Sequence, residues 1–371
     1  MYAKAHSRIV STGVSIPENR ISSEDIMNEI DSRNRFGIGP DWLRRTTGIV
    51  ERRESGDGVV PSDLAADAAR EALDRAGVSA REVGMLIYAG VIRDHLVEPG
   101  TAHIVQHKIG ATCSAGVDLN NACLGFMSAI HIMDALIATG QIKYGLVVTG
   151  EQGCRLMRRA MEELKNMNDR AEVHDLVAGL TLGDAGAAML LGPKRERDLG
   201  LVGFQMESNG EHSELCYCGD VVDTGLLHTD MSGILSAAGA LTAATFKELL
   251  EDRLHWSRTD LSRFVAHQVG KGSFKIYTEV LCVAKEIMTE TVWELGNIIT
   301  ATIPVNLHRL MYSEPLDEGD KVILAGAGSG VCAGRAGLVW ERRAAGGNLS
   351  GWPWGAAMRP RGRAVRPASP T

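Results

Sequence analysis

The chain has 371 residues, 44% of them hydrophobic, which is enough to bury a large core in one big domain or two similar halves and excludes a disordered protein. Its 46 acidic and 39 basic side chains leave a net charge of -7, which excludes a broad phosphate-reading surface and hence nucleic acid as a partner. No run of about 20 apolar residues spans a bilayer, and the first residues, MYAKAHSRIVSTGVSIPENR, lack the apolar core of a signal peptide, so a cytoplasmic location with no membrane partner is expected.

Taken in chain order, strand-like runs at 8–14 (RIVSTGV), 85–91 (MLIYAGV) and 144–150 (YGLVVTG) alternate with helical patterns. In PSDLAADAAREALDRAG, Leu64, Ala68, Ala72 and Ala76 recur at helical spacing, with Pro61 and Ser62 at the start and Gly77 at the stop. GVDLN reads as a short strand before NACLGF (121–126), and the apolar pattern MSAIHIMDALI (127–137) follows as a helix whose spacing reports burial. GDAGAAMLLG (183–192) reads as a turn and a strand buried on both faces. The second half repeats this alternation, with a helix in SAAGALTAATFKELLEDRL, a strand in RFVAHQ, another helix, then the strands KVILAGAG and AGLVW. The whole pattern predicts an α/β fold with two halves, 1–192 and 193–341, followed by a basic tail, 342–371, rich in Gly, Pro, Ala and Arg and without an acid.

Seven scattered cysteines form no CxxC pair, so reduced thiols are expected, with no metal and no redox cofactor. Cys123 alone stands where a helix begins, a position at which unpaired N–H groups and the helix dipole favour a thiolate. A cysteine nucleophile needs a base or cation nearby and a place to hold an oxyanion. His267, ending a strand-like run in FVAHQVG, and Asn297, in ELGNIITATIP, are the candidates, and the loop GAGSGVC (326–332) can offer backbone N–H groups.

In their order, NACLGF, LTLGDAGAAMLL, AHQ, GN with TIP following, and GAGSG resemble the thiolase superfamily in its ketoacyl-ACP synthase III branch, over residues 8 to 341. The resemblance implies a thiolase fold with duplicated α-β-α-β-α layers. It implies that Cys123 is acylated and that His267 and Asn297 hold a second thioester and its enolate. The N–H groups of Cys123 and Ser329 would form the oxyanion hole, with Gly328 and Gly330 lining the substrate. Within that branch VIRDHLVEPGTAHIV, ELKNMNDRAEVHDLVAGLTLG and SELCYCGDVVDTGLLHTD are most similar to the OleA-type enzymes, which condense two acyl-CoAs head to head.

That resemblance implies an acyltransferase that joins two acyl thioesters in a Claisen condensation, giving a 2-alkyl-3-ketoacyl thioester or acid. Without a decarboxylating malonyl unit the reaction needs a base, and Glu98 in HLVEPGT takes the family's place, reaching in from the partner subunit of a dimer. Trp42 in DWLRRTTG matches a CoA-binding tryptophan, but Thr46 stands where an arginine is usual, with Arg44 and Arg45 displaced, and Gly272 replaces a second arginine beside Lys271. The acyl groups are therefore expected on CoA held by shifted cations, or on a carrier protein meeting Arg44, Arg45 and Lys271. The chain is expected as a homodimer, or a heterodimer with a related chain.

The alternatives are a decarboxylative synthase III using malonyl-ACP and, below it, a non-catalytic partner subunit, though such a subunit would usually lack the nucleophile. GAGSGV lacks the third glycine of a dinucleotide loop, Val331 standing there, which removes a dehydrogenase. NACLG imitates the nucleophile elbow of a cysteine hydrolase, which would require an acid orienting His267.

Overall fold

The computed structural model describes residues 1–195, 199–219, 226–313 and 316–341; the basic tail and the 220–225 part of SELCYCGDVVDTGLLHTD lie outside the described residues. In chain order the strands are β1 (Tyr2–Lys4), β2 (Ser7–Ser15), β3 (Asn19–Ser22), β4 (Glu51–Glu54), β5 (Val83–Tyr88), β6 (Ala115–Asp118), β7 (Tyr144–Gln152), β8 (Asp184–Pro193), β9 (Gly200–Ser208), β10 (Cys216–Cys218), β11 (Leu227–Thr229), β12 (Leu261–Ala266), β13 (Lys321–Gly328) and β14 (Cys332–Val339).

Two five-stranded sheets carry the fold, with orders β2-β8-β7-β5-β6 and β1-β9-β14-β13-β12. Duplication shows in the pairing. β2–β8–β7 run antiparallel and β7–β5 parallel, and β9–β14–β13 run antiparallel and β13–β12 parallel. The first sheet draws on residues 7–193 and the second on 200–339, apart from β1, which pairs with β9.

Helices Gly125–Ala138 and Thr302–Ser313 fill the layer between the sheets. Phe126, Met127, Ile130, Met133 and Leu307 pack there against Val147 and Met189 of one sheet and Val265 and Leu324 of the other. Each such side chain contributes about 1.5–3 kcal/mol by leaving water. The methionines of MSAIHIMDALI are thus spent on this core, as their spacing predicts. One outer face of the first sheet is covered by the helix Pro61–Ala76, which begins with proline and ends on Gly77 in the left-handed region. Ser62 does not cap it; its hydroxyl donates to Asp94 Oδ2 at 2.5 Å and Asp63 caps the Val60 N–H instead. Phe246, Phe274 and Tyr277 cover the second sheet through Phe264 and Ile323. The result is the α-β-α-β-α layering expected. β8 is buried on both faces, which explains its unbroken run of small and apolar residues.

Candidate active site

The chain segments that carry the three groups singled out in the sequence adjoin one another: Gly326 lies against Leu124 and the His267 Cβ, and Gly125 against Thr300, three residues past Asn297. The helix starts at Gly125, so Cys123 lies two residues before it, after Ala122, whose φ of 44° is left-handed. A non-glycine residue held there costs on the order of 1–3 kcal/mol, a strain found at functional turns. Gly328 ends β13 directly against this turn: a methyl on it would stand 3.2 Å from the Cys123 nitrogen, 3.1 Å from the Leu124 nitrogen and 3.2 Å from Cys332 Sγ. Any larger residue would push the glycine-rich loop off the nucleophile's backbone N–H, so the loop's composition follows from the approach it makes. Ser329 and Gly330 continue that loop, Gly330 with a φ of 124°.

His267 follows β12, its N–H donating to Ala325 O at 2.9 Å and its carbonyl accepting from the Tyr277 hydroxyl at 2.6 Å. Gly326 packs between Leu124 and the His267 Cβ, tying the imidazole to the nucleophile's turn. Asn297 pairs through its backbone with Thr181 O and Gly183 N, and its Oδ1 accepts from the Ile299 N–H at 3.0 Å. This leaves its Nδ2–H groups as the donors without a partner among the described residues. Ile299 itself is left-handed, with φ 50°.

The electrostatics differ from one expectation. Burial pushes the Cys123 thiol well up, with Cys216, Glu151 and Cys332 adding to the shift, so the resting group is a thiol and not the thiolate expected at a helix start. Desolvation is the largest cause of that shift. Burial lowers His267 to about 4, the Ile299 backbone opposing it, and neither ring nitrogen has a hydrogen-bond partner among the described residues. The imidazole is therefore neutral near pH 7, one ring nitrogen an acceptor and the other a donor. No acid orients it among the described residues, which is contrary to a hydrolase triad.

These shifts predict a stability profile. His308, buried beside Glu71 and Arg75, is also lowered from 6.5 to about 4. The unfolded chain binds protons at both histidines below pH 6.5 while the folded chain does not until about 4. Stability is whole above that window and falls as pH drops through it, by up to about 3 kcal/mol per histidine. Because burial raises the Glu151 and Asp184 carboxyls, which act in the opposite direction, the histidine share is read by difference: urea midpoints from neutral pH down to about 4.5 should decline less in His308→Gln than in the wild type; equal slopes contradict the burial of that ring.

Glu98 does not join this cluster within one chain. It is exposed, in a segment without regular structure where Leu96 is 71% and Val97 85% exposed. Trp42, 8% exposed, packs in a core cluster and makes a T-shaped contact with His174 at 5.1 Å. Arg44, Arg45 and Lys271 do come together, Lys271 Nζ donating to Arg45 O at 2.7 Å, while Arg44 pairs with Glu24 and Arg45 with Asp41. Gly272 stands against Leu235, where a side chain would collide at 2.9 Å.

Sequence reasoning missed Glu151 and Thr300. Both are buried, and the Thr300 hydroxyl donates to Glu151 Oε1. The signal was a lone acid inside the apolar strand GLVVTGEQ. Among the described residues no helix is long and apolar enough to cross a membrane and no group of side chains could hold a metal ion.

Comparison with known proteins agrees with this fold. Residues 117–210 match the 3-oxoacyl-[acyl-carrier-protein] synthase III family and residues 252–340 its C-terminal part. An acyl-CoA:acyl-CoA alkyltransferase of Xanthomonas campestris is 32% identical over 86% of this chain and 94% of its own length. A beta-ketoacyl-[acyl-carrier-protein] synthase III of Natranaerobius thermophilus is 28% identical over 91% of this chain and 100% of its own. OleA of Xanthomonas campestris with cerulenin bound superposes with a TM-score of 0.85 at 29% identity, covering 91% of this chain and 98% of that one. The same OleA has been crystallised with a cysteine, a histidine or a glutamate replaced. The thiolase-type layers and these relatives together place the chain in the 3-oxoacyl-[acyl-carrier-protein] synthase III family of condensing acyltransferases, on its OleA-like side.

Proposed function

We propose that the protein joins two acyl thioesters by a Claisen condensation that needs no decarboxylation, with Cys123 as the acylated nucleophile. What supports this is a buried His267 ring with no side-chain partner and an Asn297 whose Oδ1 is already used by the Ile299 N–H, both on segments that adjoin the nucleophile's turn. Neutral donors suit an enolate oxygen, whose charge exists only once the α-proton has left.

In the first half, His267 takes the thiol proton, the sulfur attacks the first thioester carbonyl, and the departing thiolate leaves protonated. The Cys123 and Ser329 N–H groups hold the oxyanion. In the second half, a base removes the α-proton of a second thioester, His267 and Asn297 stabilise the enolate, and its carbon displaces the cysteine sulfur. The product is a 2-alkyl-3-ketoacyl thioester, and the sulfur regains its proton.

Glu98 of the partner subunit is the base. Three features support this: it is exposed on its own chain, it sits on an apolar protrusion, and β6 is an edge strand with Val117 exposed. An exposed apolar segment beside an open sheet edge suits a homodimer that buries both. A related chain in place of one copy would satisfy the same surface. The cluster of Arg44, Arg45 and Lys271 would meet the phosphates of CoA or the acidic helix of a carrier protein in the cytoplasm.

The test is to supply saturated acyl-CoAs with and without malonyl-ACP and identify products by mass spectrometry. The head-to-head β-keto product is expected without the malonyl donor. A product that forms only when malonyl-ACP is present makes the enzyme a decarboxylative synthase III.

A further inference from the structure

Glu151, near the end of β7, is 0% exposed, and no arginine or lysine pairs with it among the described residues. Burying a carboxylate without a cation is costly, so what holds it is informative. Its oxygens accept only from donors of the surrounding chain: the Val91 N–H at 3.0 Å, the Ile92 N–H at 3.2 Å, the Thr300 N–H at 3.4 Å, the Thr149 hydroxyl at 3.5 Å and the Thr300 hydroxyl. The Tyr88 hydroxyl lies between Gly150 O and Ile92 O, bracing the same segment.

These donors are not scattered. Val91 and Ile92 open the segment that ends at Glu98, and Thr300 follows Asn297 by three residues, with Ile299 bonded to the Asn297 side chain. Gly125, two residues past Cys123, packs into the same junction: a methyl on it would lie 2.6 Å from Ala89 O and 3.5 Å from Thr300 Cγ2. Cys123 itself is held from the other side, by Gly328.

We propose that Glu151 is a positioning residue that sets the Glu98-bearing segment and the Asn297 turn at their working places, and so serves proton abstraction and enolate binding but not acylation. This rests on the function proposed above. Its carboxylate collects N–H and O–H groups from both elements. A glutamine there keeps the shape but turns an NH2 group toward an N–H donor, which loosens one of the two elements.

The test compares Glu151→Gln, Thr300→Val and Thr300→Ser with Glu98→Gln. Acylation of Cys123 is read by intact-protein mass, and condensation by product formation. Glu151→Gln should acylate at least as fast as the wild type, since its charge no longer raises the Cys123 thiol, and condense about 100-fold more slowly, the acyl group then leaving as free acid, because a small misplacement of reacting groups has that scale of effect. Thr300→Val should lose about tenfold in condensation and Thr300→Ser should recover it. If Glu98→Gln stalls while Glu151→Gln condenses normally, the inference fails alone. It also fails if Glu151→Gln loses acylation and condensation in equal measure, which is what a merely structural residue would do. Normal condensation by Glu98→Gln overturns the functional reading beneath it. Should Glu151→Gln not fold, the pair of Thr300 variants decides the point, an unchanged Thr300→Val overturning the inference.

Discussion

Cys123→Ser is expected to lose acylation by at least about 10³-fold while melting at the wild-type temperature. The hydroxyl fits the place of the thiol, so the fold has no reason to change. The chemistry does. The resting thiol is already held up by burial, and His267, lowered to about 4, is a weak base in this site. A sulfur can be deprotonated by such a base in the presence of a thioester, because the thiol is by far the stronger acid; an alcohol many orders weaker cannot. Intact-protein mass after incubation with an acyl-CoA measures the adduct directly. Acylation of the serine variant at the wild-type rate would remove Cys123 as the nucleophile.

Glu98→Gln should separate the two halves of the reaction. Acylation of Cys123 continues, since nothing in the first half uses the carboxylate, and condensation of saturated acyl thioesters falls by about 10²–10⁴-fold, the range of a positioned general base. Because Glu98 is exposed on its own chain, mixing the two inactive variants is informative. In a heterodimer of Cys123→Ser and Glu98→Gln, one cleft has an intact cysteine and receives an intact glutamate from its neighbour, and activity should return. Continued silence of the mixture contradicts action across the subunits.

The layered fold was legible because its signals are local and periodic. The helix at Pro61 has its proline, its apolar face and its glycine stop, and β8 announces burial on both faces by an unbroken apolar run. The proposed nucleophile, imidazole and carboxamide were picked out through the motifs around them, and the fold brings their segments side by side. What failed depended on geometry that residue types do not encode. The desolvation that raises the Cys123 thiol was invisible in the sequence. The backbone at Ala122 and Ile299 is left-handed where neither residue type advertises it. The packing of Trp42 against His174 and the core was not readable from its motif. Glu151 could have been flagged as an acid in an apolar strand, but its donors come from positions 91, 92 and 300, far apart in the chain.

If the mechanism holds, an acyl group on Cys123 becomes one half of a product whose other half is a second, unmodified acyl thioester. Isolating the acyl-enzyme free of donor and chasing it with a carbon-13-labelled acyl-CoA reads this out without intermediates. Adduct mass should disappear as a β-keto product appears with one labelled and one unlabelled half. Release of the unlabelled group only as free acid, or a product that waits for a malonyl thioester, would rule the mechanism out.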